Sequence, residues 1–475
     1  MNRKRFLKNI AVVAGGNAFY LLGHVLTGFL VPLILPVDEY GYYKVYTLYI
    51  SYYGLLNFGF VDGLLLQFAG MDYDQLDRKS IRRYTRFFWT AEAAAGCVIT
   101  LFALVFLHGQ TKMILVFVAI GSFFTNVTLY YQYLSQAVSR FKEFSLRKIF
   151  GVVCSILALG ITYAFIILRD SGKNSFVVLI ASSIFLSALL LLWYIYTYRE
   201  VSFGAAYPLA QEKKTIFSMI KKGLLMTAAY EAYRFMLLLD RQFVSLLFDI
   251  ETYARYAFAY NILSSVTAVV TSVSTVLFPA LRKMEPERAM QYFPDGLSLV
   301  SGFACLCLAG FYPLKWLIQW ILPKYIGSIV YLQIVFPVLA LSGSITIIIF
   351  TYYKILEKNF AFMLICLGSV VIAALLNAIA YHWWGTPEAI SIASIASAII
   401  WYLWSVLHLW REYRMPWIRI FCHAMVMTLL FYASTLLVQN EVLGLFSYLL
   451  AFAAVTFAFY HRRLGDLILK LRKAH

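Results

Sequence analysis

The chain has 475 residues, 62% of them hydrophobic and only 13% charged, and 40 basic against 23 acidic side chains give a formal net charge of +17. Such a composition excludes an ordinary soluble domain. The basic excess does not mark a nucleic-acid partner, because most of it sits in loops that alternate with apolar runs.

A bilayer core about 30 Å thick needs roughly 20 apolar residues to cross it as a helix. Fourteen runs fit, at 10–35, 42–69, 87–107, 113–138, 149–168, 176–197, 223–248, 253–280, 296–322, 328–353, 360–384, 387–410, 418–438 and 442–460. Every second connection is rich in Lys and Arg. The segments 1–9, 70–86, 139–148, 198–222, 281–295, 354–359, 411–419 and 461–475 hold 31 of the 40 basic residues. Basic residues gather in cytoplasmic loops, so both termini are expected in the cytoplasm and the basic side chains against anionic headgroups.

Taken in order, the first run follows Asn2-Arg3-Lys4-Arg5, as a signal sequence would. It is too long for a cleaved segment and lacks Ala-x-Ala at its end, so it reads as a retained anchor. The outer loops are short, and none could fold alone. The longest connection, 198–222, divides six runs from eight. Its second half, Gln211–Lys222, sets Ile216, Phe217 and Ile220 on one helical face among four lysines, a pattern expected of an interfacial helix, and Arg462–Lys473 repeats it. The alternative is a solvated linker. Cys97, Cys154, Cys305, Cys307, Cys366 and Cys422 lie in or beside apolar runs and read as packing residues.

The two parts echo each other. Asp38-Glu39-Tyr40-Gly41-Tyr42-Tyr43 follows the first run and Glu251-Thr252-Tyr253-Ala254-Arg255-Tyr256 the seventh. Tyr40 aligns with Tyr253, Gly41 with Ala254 and Tyr43 with Tyr256. An even number of runs separates the copies, so they share an orientation. The expectation is an all-α polytopic membrane protein with two six-helix lobes related by a pseudo-two-fold axis along the membrane normal. Residues 1–197 form the N-lobe, 198–222 the connection, 223–410 the C-lobe, and 411–475 two further spans with a basic tail.

Glu39-Tyr40-Gly41-x-Tyr43 with Leu56-Asn57-Phe58-Gly59-Phe60 resembles the N-terminal signature of polysaccharide-repeat flippases of the multidrug/oligosaccharidyl-lipid/polysaccharide exporter superfamily. Gln132 to Arg140 with Phe141-Lys142-Glu143 resembles the end of their fourth span. Leu239-Asp240-Arg241 with Tyr253, Tyr256 and Ala257 resembles their seventh and eighth spans, and Leu322-Pro323-Lys324-Tyr325 the loop after their ninth. Ala254 departs from the usual Gly, and Arg255 adds an unusual charge. The resemblance implies a flippase of undecaprenyl-pyrophosphate-linked oligosaccharide repeat units in a bacterial cytoplasmic membrane. It implies a cavity lined by the first, second, seventh and eighth spans. The partners implied are the lipid-linked oligosaccharide, membrane lipids and polysaccharide polymerase machinery.

In the seventh run, Thr227, Glu231, Arg234 and Arg241 fall within about 80° of one another on a helical wheel, and Arg234 lies ~16 Å from Gly223 along the axis. A midplane arginine usually faces a partner or an aqueous cavity. Arg234 is therefore a candidate to hold a pyrophosphate or acidic sugar, and Glu231 to modulate it or carry a coupling ion. The plain alternative is an i,i+3 pair in which each neutralises the other. Asp240 and Arg241 lie farther out and read first as a structural pair, with Arg241 retained as a substrate-binding candidate. In the first run, Asn17 and His24 share a face with Thr27 and Gly28. In the second, Tyr42, Tyr46, Tyr49, Tyr53 and Asn57 form a stripe suited to sugar rings, although tyrosines also fill interface belts and helix seams. Asp62 and Glu92, expected near the cytoplasmic ends of their runs, are further candidate coupling carboxylates. Gln132 and Gln136 read as interhelical glue.

Several patterns point elsewhere. Asp72-Tyr73-Asp74 has the D-x-D form of a metal–nucleotide-sugar site but stands alone in a short loop. Asp38-Glu39 sits where membrane glycosyltransferases often keep catalytic acids. Asn126-Val127-Thr128 is a sequon buried in a run. No G-x-x-x-x-G-K-[ST] occurs, so no P-loop supplies ATP chemistry. A transporter without enzymatic activity, cofactor or metal is expected. The competing readings are a drug or other lipid-headgroup exporter of the same superfamily and a membrane polymerase or glycosyltransferase.

Overall fold

The computed structural model describes residues 3–271 and 286–473, with side chains described for 15–267 and 288–460. Every regular element among the described residues is helical. Eleven helices there are long and apolar enough to cross a membrane by length and composition. The chain is an all-α polytopic membrane protein. These helices match eleven of the fourteen predicted runs; the other three, 42–69, 223–248 and 253–280, do not meet that standard, and the last extends beyond the described residues. Two compact units, Met1–Ala257 and Phe258–His475, divide the chain.

In the first unit, α1 (Arg3–Ile34) leads to α2 (Val37–Ile50), a 3-10 turn (Tyr53–Asn57) and α3 (Phe60–Phe68). The second predicted span is therefore broken. The cause is local: Asn57 Oδ1 accepts from Gly59 N at 2.9 Å, and Phe58 and Gly59 both take left-handed backbone, with φ of 46° and 78°. An Asn side chain that folds back on the backbone two residues on competes with helix continuation, and Gly accepts positive φ freely.

Next come α4 (Arg78–Phe106), α5 (Gly109–Ala137), α6 (Phe141–Arg169), α7 (Ser175–Thr197), the short α8 (Arg199–Ser202), α9 (Leu209–Leu247) and α10 (Ile250–Thr271). Residues 211–222 do not form a helix of their own. They open the 39-residue α9, where Glu212 accepts from Ser80 and Tyr84 hydroxyls and Ile216 and Met219 enter the unit's core. Only Phe217 keeps the exposure expected of an interfacial face, at 67%. Arg462–Lys473 likewise continues a longer helix. The core is aromatic. Phe60, Phe88 and Tyr130 stack at 5.5 Å steps, and Tyr131 stacks on Tyr194 and Tyr198. Burying a tyrosine requires a partner for its hydroxyl. Tyr130 finds Thr85, Tyr131 finds Ser202 and Tyr198 finds Ser135, at 2.6–2.8 Å.

Arginines of α4 clasp the loop before α9. Arg82 donates to the carbonyls of Glu200 and Ala205, Arg83 to Tyr207 and Arg86 to Gly204, while Arg78 pairs with Glu200. Glu39 accepts the backbone N–H groups of Asn174 (2.8 Å) and Phe176 (3.0 Å), so it caps the start of α7. Gly41 has no room for a side chain, since a methyl there would lie 2.6 Å from the Ile250 carbonyl. The Glu-Tyr-Gly motif is thus a packing device. Asp249, between α9 and α10, accepts from the Thr252 hydroxyl and backbone and from Glu251 N, which hold its carboxyl below the usual range. Asp72 N–H donates to Gln75 Oε1 in a 3-10 turn, a local cap.

In the second unit, α11 (Pro286–Gln291), α12 (Phe293–Cys307), α13 (Phe311–Ile321), α14 (Ser328–Val335), α15 (Val338–Ser344), α16 (Phe350–Ile355), α17 (Asn359–Trp384), α18 (Pro387–Tyr413), α19 (Ile418–Leu436) and α20 (Glu441–Lys473) follow. Between α15 and α16, Ile345–Ile349 forms a π turn. Tyr353 bonds the Ser405 carbonyl and His408 Nδ1, Tyr448 bonds the Cys305 carbonyl, and Lys315 pairs with Glu441 at 2.6 Å. All six cysteines are free; Cys97 and Cys422 are exposed.

Candidate functional site

The first unit places its polar residues around the break in the second run. Arg234 and Glu231 lie on α9 and pair at 3.3 Å through Nη1 and Oε1. Glu231 is buried against the 3-10 turn, since a methyl on Gly54 would fall 2.1 Å from its Oε1. Arg234 keeps 22% side-chain exposure, and its guanidinium lies 5.9 Å from the Tyr53 ring centroid and 5.7 Å from that of Tyr230. About two turns farther along α9, Gln242 bridges two tyrosines of the second run. Its Oε1 accepts from Tyr52 (3.4 Å) and its Nε2 donates to Tyr49 (3.3 Å). Phe235 packs on Tyr52. Backbone contact makes this approach possible: Gly59, Gly63 and Gly223 meet so closely that a methyl on Gly223 would lie 1.9 Å from the Gly59 carbonyl.

Other predicted residues go elsewhere. Tyr46 turns to α5, where a methyl on Gly121 would meet its hydroxyl at 2.6 Å, and Tyr42 packs on Phe176. Asn57 is committed to the turn. The tyrosine stripe assumed an unbroken helix, and the break at Ser51 ends that periodicity. Asn17 Oδ1 accepts from Lys148 of α6 (2.8 Å), and His24 stacks along its own helix on Tyr20. Asp62 of α3 accepts from Thr227 (2.5 Å), joining α3 to α9. Asp240 accepts from Tyr256 (3.2 Å) and pairs with Arg241 at 3.7 Å, while Arg241 also donates to the Leu237 carbonyl. Glu92 is the middle residue of the 29-residue α4, beside the break rather than near a helix end.

Four residues of this region escaped sequence reasoning. Lys44 lies on α2, half-buried between the Tyr40 and Tyr43 rings at 5.2 and 6.0 Å, and its carbonyl accepts from Tyr253. Gln242, Tyr52 and Tyr230 are the others. A lone charge in an apolar run was the available signal for Lys44.

No protein-family model matches the chain, and no curated relative matches it. Among solved structures, "Lipid II flippase MurJ, inward closed conformation" is similar over 96% of this chain and 100% of that one, with a TM-score of 0.73 at 11% identity. A multidrug resistance MATE family transporter of the MOP superfamily, in an inward-facing conformation, covers 85% of this chain and 95% of its own with a TM-score of 0.53 at 11% identity. A MATE crystal structure in complex with MaL6 covers 86% and 97% with a TM-score of 0.53 at 12% identity. Identities this low show that the chain shares the fold of these solved structures.

Proposed function

We propose that this protein is a flippase that carries an undecaprenyl-pyrophosphate-linked oligosaccharide from the cytoplasmic to the outer leaflet of a bacterial inner membrane, with both termini in the cytoplasm. The observation that carries the reading is Arg234, a part-exposed guanidinium well inside α9, engaged by Glu231 through one nitrogen and flanked by two tyrosine rings. A part-buried cation with free donor capacity suits phosphate oxygens, and aromatic faces suit sugars. Tyr49, Tyr52 and Gln242 extend the same wall with hydroxyl and amide groups. Crossing without such a lining would leave many polar groups unpaired in hydrocarbon. The likeness to a lipid II flippase over nearly the whole of both chains supports the same reading. The likeness to multidrug transporters supports a second one, export of a drug or other headgroup.

The test uses purified protein in vesicles holding lipid-linked oligosaccharide, with accessibility to an external lectin as readout. The wild type should expose the oligosaccharide; Arg234→Ala should lose exposure while still inserting, and Arg234→Lys should keep part of it, because a point charge replaces a planar fork. Full activity in Glu231→Ala/Arg234→Ala would make the pair structural and remove the proposed site. Export of a cationic dye without lipid movement would replace the flippase reading with the drug-exporter one. In a deletion strain, full-length units that still reach the outer face without being polymerised would favour a membrane enzyme.

A further inference from the structure

A second polar group lies buried behind the break, outside the site just described. Glu92 is 2% exposed and Asn126, on α5, is 0% exposed. Asn126 Nδ2 donates to Glu92 Oε2 at 2.8 Å and to the Tyr53 carbonyl at 3.1 Å. The remaining oxygen of each side chain, Glu92 Oε1 and Asn126 Oδ1, is buried with no hydrogen-bond partner. The amide orientation is forced, because the flipped form would set Oδ1 against two acceptors.

The titratable groups on the neighbouring elements do not compensate Glu92. Tyr130 of α5 is occupied by Thr85, and Tyr133 is on the same helix. Tyr53 of the 3-10 turn offers its carbonyl. On α9, Glu212 binds Tyr84 and Ser80, about 12 and 18 Å down α4, and Glu231 is paired with Arg234. Glu200 of α8 pairs with Arg78 at the start of α4. Among the described residues, no ion pair reaches Glu92.

Both orphaned atoms are acceptors. An ionised Glu92 would keep a charge out of water against a single amide N–H, which is costly. One proton on Oε1 removes both deficits: the new O–H is a donor, and Asn126 Oδ1 is the acceptor that lacks one. A protonated Oε1 can then donate to Asn126 Oδ1 while Oε2 keeps the amide N–H.

We propose that Glu92 is a proton-binding site of this protein, and that Asn126 relays its occupancy to the break in the second run. The proposal deepens the transporter reading, on which its coupling role rests. With the proton bound, Asn126 is held from both ends and steadies the Tyr53 carbonyl. When the proton leaves to water, the carboxylate repels Asn126 Oδ1, the amide turns, and Tyr53 loses its donor. Gly54, the next residue, abuts Glu231. The shift therefore reaches the Glu231–Arg234 pair, and proton release changes the setting of the arginine. A sodium ion between the same two oxygens is the competing occupant.

The test is infrared difference spectroscopy of the full-length protein in lipid nanodiscs, without substrate, as pH is varied in H2O and D2O. A carboxylic-acid C=O band should vanish on raising the pH, be missing in Glu92→Gln, and shift in Asn126→Ala. In vesicles, an imposed pH gradient should alter the wild-type transport rate and leave that of Glu92→Gln unchanged. That variant can make the same two hydrogen bonds, so its thermal stability should match the wild type. A wild-type spectrum without a band that Glu92→Gln removes overturns the proposal. So does a band that responds to replacing sodium by choline at fixed pH, which would make this a sodium site, or a Glu92→Gln rate that still follows the gradient. Since the titration contains no oligosaccharide, its failure leaves the headgroup reading standing, and failure of the lectin assay leaves the proton site standing.

Discussion

Replacing Gly54 by alanine moves the Glu231 carboxylate without altering its chemistry. The added methyl would stand 2.1 Å from Oε1 and 3.0 Å from Cδ of Glu231. Nonbonded heavy atoms settle near about 3.5 Å, so the carboxylate must retreat by about 1.4 Å. That shift is large against the 3.3 Å contact to Arg234, which breaks or re-forms elsewhere. Overpacking of this kind costs about 1–3 kcal/mol. If the same energy is lost from the placement of the guanidinium during transport, the rate falls by about 5- to 150-fold, at 1.36 kcal/mol per tenfold. The assays are the initial rate of oligosaccharide exposure in vesicles and the thermal unfolding midpoint in detergent. Gly54→Ala/Glu231→Ala vacates the space and should recover the midpoint, while its rate reports whether Glu231 itself is needed. A Gly54→Ala protein with wild-type rate and midpoint would refute the reasoning, because neither the contact nor the position of the carboxylate would then matter.

Reporter fusions at Asp170 and Gly385 should report outside and fusions at Ser202 and the C-terminus inside; an outside C-terminus would mean that the span count is odd and the expected repeat wrong. Glu39→Ala should lower stability by about 2 kcal/mol through the lost cap, seen as a lower unfolding midpoint, with Glu39→Gln intermediate. A stable Glu39→Gln protein that has lost all activity would instead point to acid catalysis at this residue.

Eleven of the fourteen expected spans were legible because hydropathy over 20 residues outweighs local detail. The pairing of Glu231 with Arg234 was legible too, since both sit one turn apart on an uninterrupted helix. The break was not, for Asn57-Phe58-Gly59 lies within a run whose apolar character continues to Phe68. That missed turn affects only the far end of the stripe, Tyr53 and Asn57, because helical-wheel positions after Ser51 inherit the error. Tyr42 and Tyr46 sit on the intact α2 and are drawn away by Phe176 and Gly121. Tyr49 and Tyr53 still face α9, while Tyr46 and Asn57 do not. Asn126 was hidden for another reason: a lone amide in an apolar helix carries no periodic signal, and its meaning depends on Glu92 34 residues earlier. The interfacial reading of 211–222 failed because Ile216 and Met219 are apolar for the core rather than for lipid.

The arginine clasp on the loop before α9 has a history in time. Arg82, Arg83 and Arg86 bond carbonyls that lie 118 to 124 residues farther along the chain. At about 5–20 residues per second of synthesis, those partners emerge about 6–25 s later. Until then the guanidinium groups lack those partners, and on the proposed topology their charge favours retention on the cytoplasmic side. On the proposed topology the same three side chains serve first as a retention signal and, in the folded unit, as a latch. Lysines there would preserve the first role and weaken the second, giving a protein that inserts correctly and closes late.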